Sequence, residues 1–114
     1  MNFWKNLEQI SQWDEILRAS EARPALIFKH STRCSISRMA LDRINRSWPP
    51  GTEQVISAWY LDLLNFREIS NRIAGDTGIE HQSPQLLLIS QNRCIKAGSH
   101  HEVRLEDFLK EINL

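Results

Sequence analysis

Cysteine is scarce in this chain, and so is any excess of charge. Two cysteines occur, Cys34 and Cys94, sixty positions apart. That is no disulfide framework, and in a reducing compartment both are expected to be free thiols. Fourteen basic residues balance fourteen acidic ones. Such a balance leaves no nucleic-acid footprint and no attraction to a membrane surface. No apolar run approaches the ~20 residues that a membrane span needs. The opening Met-Asn-Phe-Trp-Lys lacks a charged segment followed by an apolar one, so no secretory signal is expected and the expected location is the cytoplasm. Repeats, linkers and low-complexity segments are missing. The 114 residues are therefore expected to form one domain, 1–114, with a modest core.

What is present centres on residues 28–39, Phe-Lys-His-Ser-Thr-Arg-Cys-Ser-Ile-Ser-Arg-Met. The apolar run 24–28 leads in, opened by a proline, and reads as a buried strand. Residues 35–46 lead out as a helix, with Ile36, Met39, Ala40 and Ile44 spaced as one apolar stripe. Cys34 stands between them at the helix N-terminus, where unpaired N–H groups and the positive dipole end favour a thiolate. Arg33 beside it, with Lys29, His30 and Arg38 close in sequence, works in the same direction.

The remaining elements follow from periodicity and breakers. Residues 2–10 are an amphipathic lead-in. A first helix is expected over 11–20, opened by a capping box at Ser11 and Asp14, with Trp13, Ile16 and Leu17 inward. Trp48-Pro-Pro-Gly51 ends the Cys34 helix. A second strand is expected within 53–63. A helix over 66–74 has Asn65 as cap and Gly75 as stop. Pro84 opens a third strand ending at Ser90. A tight turn at 91–93 leads to a short fourth strand, 94–97. A last helix is expected over 103–113. The crossover makes strands one and two parallel, and the hairpin makes three and four antiparallel. Of the tryptophans, Trp13 and Trp59 are expected in the core, while Trp4 and Trp48 are left open to core or partner surface.

This succession of strand, Cys at a helix N-terminus, loop, Pro-strand, hairpin and C-terminal helix resembles the thioredoxin fold over nearly the whole chain. The expected architecture is α/β, a four-stranded mixed sheet in the order 2-1-3-4 with helices on both faces. More narrowly, residues 28–37 and His-Gln-Ser-Pro-Gln at 81–85 are similar to the monothiol bacilliredoxin family, whose members usually carry Thr-Cys-Pro-Ile-Ser. Here the matching residues are Arg33-Cys34-Ser35-Ile36-Ser37. Cys, Ile and Ser are kept, and Arg and Ser replace Thr and Pro. The resemblance implies a monothiol oxidoreductase that exchanges with bacillithiol mixed disulfides on proteins. It also implies a cis Ser83–Pro84 bond facing Cys34. That bond would leave the Ser83 backbone groups to bind an extended substrate. Gly98 fits either close approach of a ligand backbone or a simple turn.

The chemistry needs an accessible thiolate and a surface to align a disulfide. Ser37 lies one helical turn beyond Cys34, where a dithiol enzyme carries its resolving cysteine. A hydroxyl there can donate to the sulfur but cannot resolve a mixed disulfide. Cys34 is thus the expected catalytic residue, with Arg33, Ser37 and His30 supporting it and Ser83, Pro84 and Gly98 binding substrate. No cofactor is expected beyond a low-molecular-weight thiol as co-substrate. The partners are proteins carrying mixed disulfides, and the oligomeric state is open. A zinc site at Cys34, His30 and His81 lacks a compact ligand spacing, so no metal is expected. His100 and His101 read as solvated loop residues. A glutathione-binding glutaredoxin would carry a Gly-Gly-x-x-Asp turn where this chain has Ala97-Gly-Ser-His-His101. A thioredoxin-fold binding or stress protein, docking a thiol or partner at Cys34 without turnover, is the alternative from another class. Cys94 starts strand four at the far end of strand three, too far from Cys34 to act as its resolving partner.

Overall fold

The structure, a computed structural model, describes residues 3–114. Five strands form one sheet: β1 (Trp4–Asn6), β2 (Ala25–His30), β3 (Ser57–Asp62), β4 (Gln85–Ser90) and β5 (Arg93–Ser99). Four helices accompany them: α1 (Ile10–Ala19), α2 (Ser35–Ser47), α3 (Arg67–Thr77) and α4 (Leu105–Lys110). The strand order is β1-β3-β2-β4-β5. The expected order 2-1-3-4 survives inside it as β3-β2-β4-β5, and the correction is one further strand. That strand is β1, three residues long and paired parallel to β3 from Trp4↔Ala58 to Asn6↔Tyr60. Three residues are too few for alternation to register in sequence. The pairing is held from outside the strand. Phe3 stacks on Trp48 at 3.9 Å between ring centroids, and Trp4 Nε1 donates to Asn45 Oδ1 at 2.7 Å.

Every residue of β2 is buried. This strand runs between β3, parallel to it, and β4, antiparallel to it. Both its faces are covered, so its sequence is continuous rather than alternating. Leu26 and Phe28 face a core shared with Ala40 and Ile44 of α2 and Phe108 of α4. Ala25 and Ile27 face the other core, with Trp13 and Ile16 of α1 and Ile69 and Ile73 of α3. Trp48 belongs to the first core, while Trp59 is half-buried against the second.

Several expected boundaries move, each for a local reason. The N-cap of α1 is Gln9, with Gln12 Oε1 accepting from its N–H at 3.0 Å, so Ser11 lies inside the helix. In α3 the N-cap is Phe66; Asn65 instead donates to Asp62 Oδ2 at 2.8 Å. The helix runs through Gly75 and stops at Gly78, whose φ of +74° is the left-handed conformation that glycine adopts without strain. The last helix is shorter than its apolar pattern, because Val103 and Arg104 precede it in non-helical conformation. The expected stripe on α2 is also revised. Ile36 and Met39 are 58% and 64% exposed, and Ser37, Ala40 and Ile44 point inward.

Gly98 lies within β5, buried, and not in a turn. A Cβ built there would sit 2.7 Å from the Glu102 carbonyl oxygen. A close approach that needs glycine is thus made by the chain's own 3-10 turn, His100–Glu102. Gly98→Ala should cost about 1–3 kcal/mol, the usual range for overpacking. Urea unfolding should show a lower midpoint at an unchanged slope. An unchanged midpoint would mean that the turn yields freely.

Candidate active site

β2 continues two residues beyond the apolar run, burying Lys29 and His30 at 0% and 3% exposure. Successive strand residues face opposite sides of a sheet, so these two polar side chains enter different cores. After His30 the chain turns, and the Cys34 N–H donates to the Ser31 carbonyl at 3.1 Å. Cys34 is the N-cap of α2, in extended conformation, and its carbonyl takes the first helical bond, from Arg38 N–H at 3.1 Å. Its side chain is half-buried. The first turn of α2 holds no acidic residue, so its free N–H groups and positive dipole end have no carboxylate to compete with the sulfur. Arg33 and Arg38 are exposed on either side.

Ser37 is fully buried, and its hydroxyl is committed to His30, not to the sulfur. Ser37 Oγ accepts from the Ser31 N–H at 3.2 Å and lies 2.8 Å from His30 Nδ1. With one lone pair used by Ser31, the hydroxyl proton is available to a neutral imidazole. His30 thereby ties the loop before Cys34 to the first turn of α2. Its ring packs beside Phe28 and Tyr60, and it pairs in register with Asp62 on β3. Burial holds the imidazole below its usual value; Arg38 adds to this, while Asp62 and Asp42 oppose it. The folded state therefore binds this proton less readily than the unfolded chain. Stability should fall as pH drops through the ordinary histidine value of 6.5. His81 is shifted the same way, by burial first and then by Lys29 and Arg67. His30→Gln should flatten part of the acid limb in thermal melts across pH 5–8; an unchanged limb would refute the assignment.

Lys29 does not reach toward the sulfur, as its place in sequence suggests. It lies on the opposite face, where Nζ donates to the Ser70 carbonyl on α3 at 3.2 Å. Sequence reasoning missed this second polar group, made of Lys29, Ser70 and Gln85. The visible signal was a lysine directly continuing a buried strand.

Pro84 is buried, and the Ser83–Pro84 peptide bond is cis. Lys29 pairs with Gln85 across β2 and β4, so Pro84 stands at the same end of the sheet as Cys34. The Pro84 carbonyl accepts from the His100 N–H at 3.0 Å. Ser83 makes no backbone hydrogen bond of its own among the described residues, and its Oγ is buried without a partner. His81 is half-buried, with Nδ1 2.8 Å from Ser70 Oγ. His100 and His101 are exposed. Among the described residues, no three His, Cys, Asp or Glu side chains converge as a metal site. No helix there is long and apolar enough to cross a membrane.

Cys94 is half-buried at the start of β5 and donates to the Lys96 carbonyl at 3.3 Å. Burial pushes its thiol up. Ile89 pairs with both Cys94 and Ala25, which puts Cys94 level with the first residue of β2. Cys34 follows the last residue of that strand. At ~3.3 Å per residue, five steps separate the two levels by roughly 17 Å, beyond the ~7 Å between Cα atoms that a disulfide allows. Both thiols are free.

Similar folds are known. The chain superposes on a protein with a thioredoxin fold at a TM-score of 0.81 and 23% identity, covering 99% of each chain. It matches Fasciola hepatica thioredoxin at a TM-score of 0.72 and 10% identity, covering 95% of each. Schistosoma mansoni thioredoxin gives 0.73 and 11%, covering 95% of this chain and 94% of the other. These likenesses establish the thioredoxin fold. The family model for the monothiol bacilliredoxin BrxC matches residues 5–108. That match spans nearly the whole chain, including Cys34 and the Ser83–Pro84 turn, and the chain belongs to the monothiol bacilliredoxin family.

Proposed function

We propose that this protein removes a low-molecular-weight thiol, bacillithiol or a close analogue, from mixed disulfides on other proteins. Family and fold support a thiol redox role. The observation that carries the finer reading is the pairing of Cys34 at the N-terminus of α2 with a hydroxyl, Ser37, one turn on. A thiol there could resolve a mixed disulfide; a buried hydroxyl bound to His30 cannot. The reaction is therefore monothiol. The Cys34 thiolate attacks the small thiol's sulfur in the mixed disulfide. A new S–S bond forms between Cys34 and the small thiol, and the target protein's sulfur leaves as a thiolate, which takes a proton from water. A second molecule of the small thiol, as thiolate, then attacks the adduct. It releases the symmetrical small disulfide and regenerates Cys34, and no other cofactor is needed.

The surroundings serve that sequence. Charge on the sulfur meets the N-terminal N–H groups of α2 and the neighbouring guanidinium of Arg33. Ile36 and Met39, exposed on either side of Ser37, offer apolar contact to a target protein. Ser83, with its backbone groups uncommitted, offers strand-like hydrogen bonds to an extended segment. Such exchange belongs to a reducing compartment such as the cytoplasm.

The test is single-turnover exchange with a model protein carrying bacillithiol, glutathione or coenzyme A, followed by mass spectrometry of both partners. The expected result is a transient adduct on Cys34 that free thiol discharges, fastest for one of the three thiols. Binding without adduct or release would overturn turnover and favour a docking protein instead.

A further inference from the structure

We propose that Lys29 is a positioning residue for the Ser83–Pro84 turn, which it sets through Ser70 and His81 from the side of the sheet opposite Cys34. The proposal rests on the exchange reading above and assigns a role to a side chain that the reading leaves unused.

A lysine in a sheet core needs a reason, because an ammonium is costly to bury unless hydrogen-bonded. Lys29 is 0% exposed, and strand alternation puts it on the same face as Ala25 and Ile27, which pack in the core with Ile69 and Ile73 of α3. Nζ donates to the carbonyl of Ser70, and the same serine places its Oγ 2.8 Å from His81 Nδ1. His81 stands two residues before Ser83. Gln85, the register partner of Lys29, closes the other end of the segment: its Nε2 donates to the Glu80 carbonyl at 2.9 Å and to Ser99 Oγ at 3.2 Å. Residues 80–85 are thus pinned at His81 by Ser70, whose carbonyl Lys29 holds, and at Glu80 by Gln85, the register partner of Lys29. The cluster is not saturated. Gln85 Oε1 is buried without a donor, while an ammonium carries three hydrogens and one Lys29 bond is accounted for. Burial pulls the Lys29 ammonium down to about 8, opposed by the Cys94 thiol.

The two consecutive residues then divide the site between them. His30 fixes the α2 N-terminus, through Ser37, on one face. Lys29 fixes the turn that carries Pro84 on the other. Each acts through a serine on the helix packed against its own face. A strand end fully buried on both sides permits this, since neighbouring side chains emerge in opposite directions. The two halves of the site are thereby referenced to a single dipeptide in the most buried strand.

Lys29→Met, close in volume, and Ser70→Ala, which keeps the lysine, test the proposal together. Three quantities are read: capture of a model mixed disulfide, alkylation of Cys34 by iodoacetamide, and the 15N shifts of the His81 ring. Both variants should slow capture roughly tenfold, the scale expected for small misplacement of a binding group. Alkylation, which needs no docked substrate, should change less than twofold, and the His81 shifts should move in both. The double variant should lose little more than either single one, because the two cut successive links of one chain, Lys29 to the Ser70 carbonyl and Ser70 Oγ to His81. Unmoved His81 shifts, or capture and alkylation falling together, would overturn the proposal. If Lys29→Met fails to fold, Lys29→Leu is read by the same criteria, because Ser70→Ala leaves the bond from Lys29 to the Ser70 carbonyl in place. If wild-type protein shows no exchange with any mixed disulfide, the exchange reading fails, and the His81 shifts still decide whether Lys29 holds the turn.

Discussion

Cys34→Ser should abolish exchange while leaving the fold intact. The thiolate is the nucleophile, and a hydroxyl in its place is protonated at neutral pH and cannot form the S–S bond. The loss should be on the order of 10³-fold or more, because no alternative path replaces a missing nucleophile. Stability should change by only about 0.5 kcal/mol. The side chain is half-buried and its helix-capping role lies in the backbone, through its N–H to Ser31 and its carbonyl to Arg38. Urea unfolding of the variant should overlay that of the wild type. Cys94→Ser is the companion, and it should keep its activity. Exchange that survives in Cys34→Ser but is lost in Cys94→Ser would move the nucleophile to the other end of the sheet and defeat the site described here.

The second large effect concerns stability. Trp13→Ala should cost about 3–5 kcal/mol, the range for emptying a buried aromatic site. That is a large share of the ~5–15 kcal/mol that holds a typical domain folded. Trp13 is 0% exposed within the α1–α3 core. Its indole N–H donates to Asp76 Oδ2 at 2.8 Å, and Asp76 also accepts from Arg72 Nε at 3.0 Å. Arg72 in turn reaches Asp14 at 3.0 Å, so the indole opens a polar chain that joins α1 to α3. Trp13→Phe separates the parts. It keeps most of the apolar area and loses the N–H bond, so it should cost about 1–3 kcal/mol relative to wild type. Guanidinium titrations of the three proteins measure both numbers. An alanine variant within 1 kcal/mol of wild type would show that the helices close over the gap and that Trp13 is not a support of the fold.

Much of the architecture was legible in sequence because it is written in local patterns. The run ending at Phe28, the breaker at Trp48-Pro-Pro-Gly51, the strand after Pro84 and the turn at Gln91-Asn92 each produce the expected element within a few residues. The central place of β2 followed from a crossover and a hairpin, both sequence-local facts. The edge strand β1 was not legible. It owes its conformation to pairing with β3 and to the Phe3–Trp48 stack, contacts more than forty residues away in the chain. The exposure of Ile36 and Met39 escaped periodicity for a related reason. Their spacing suits an apolar stripe, but α2 is rotated so that Ser37, Ala40 and Ile44 meet the sheet.

By itself the sequence determined that a cysteine stands between a buried strand and a helix, with a serine one turn beyond it, and that its second cysteine begins a hairpin strand. Those are matters of order along the chain, and backbone geometry converts order directly into position. The tertiary structure alone decided what each polar side chain touches. It turned Lys29 and His30 to opposite faces, gave the Ser37 hydroxyl to His30 instead of the sulfur, and spent the freedom of Gly98 on Glu102. Such choices depend on which helix covers which face of the sheet. That is settled by packing among segments far apart in the chain, where a residue's type sets what it can bond but not what stands within reach.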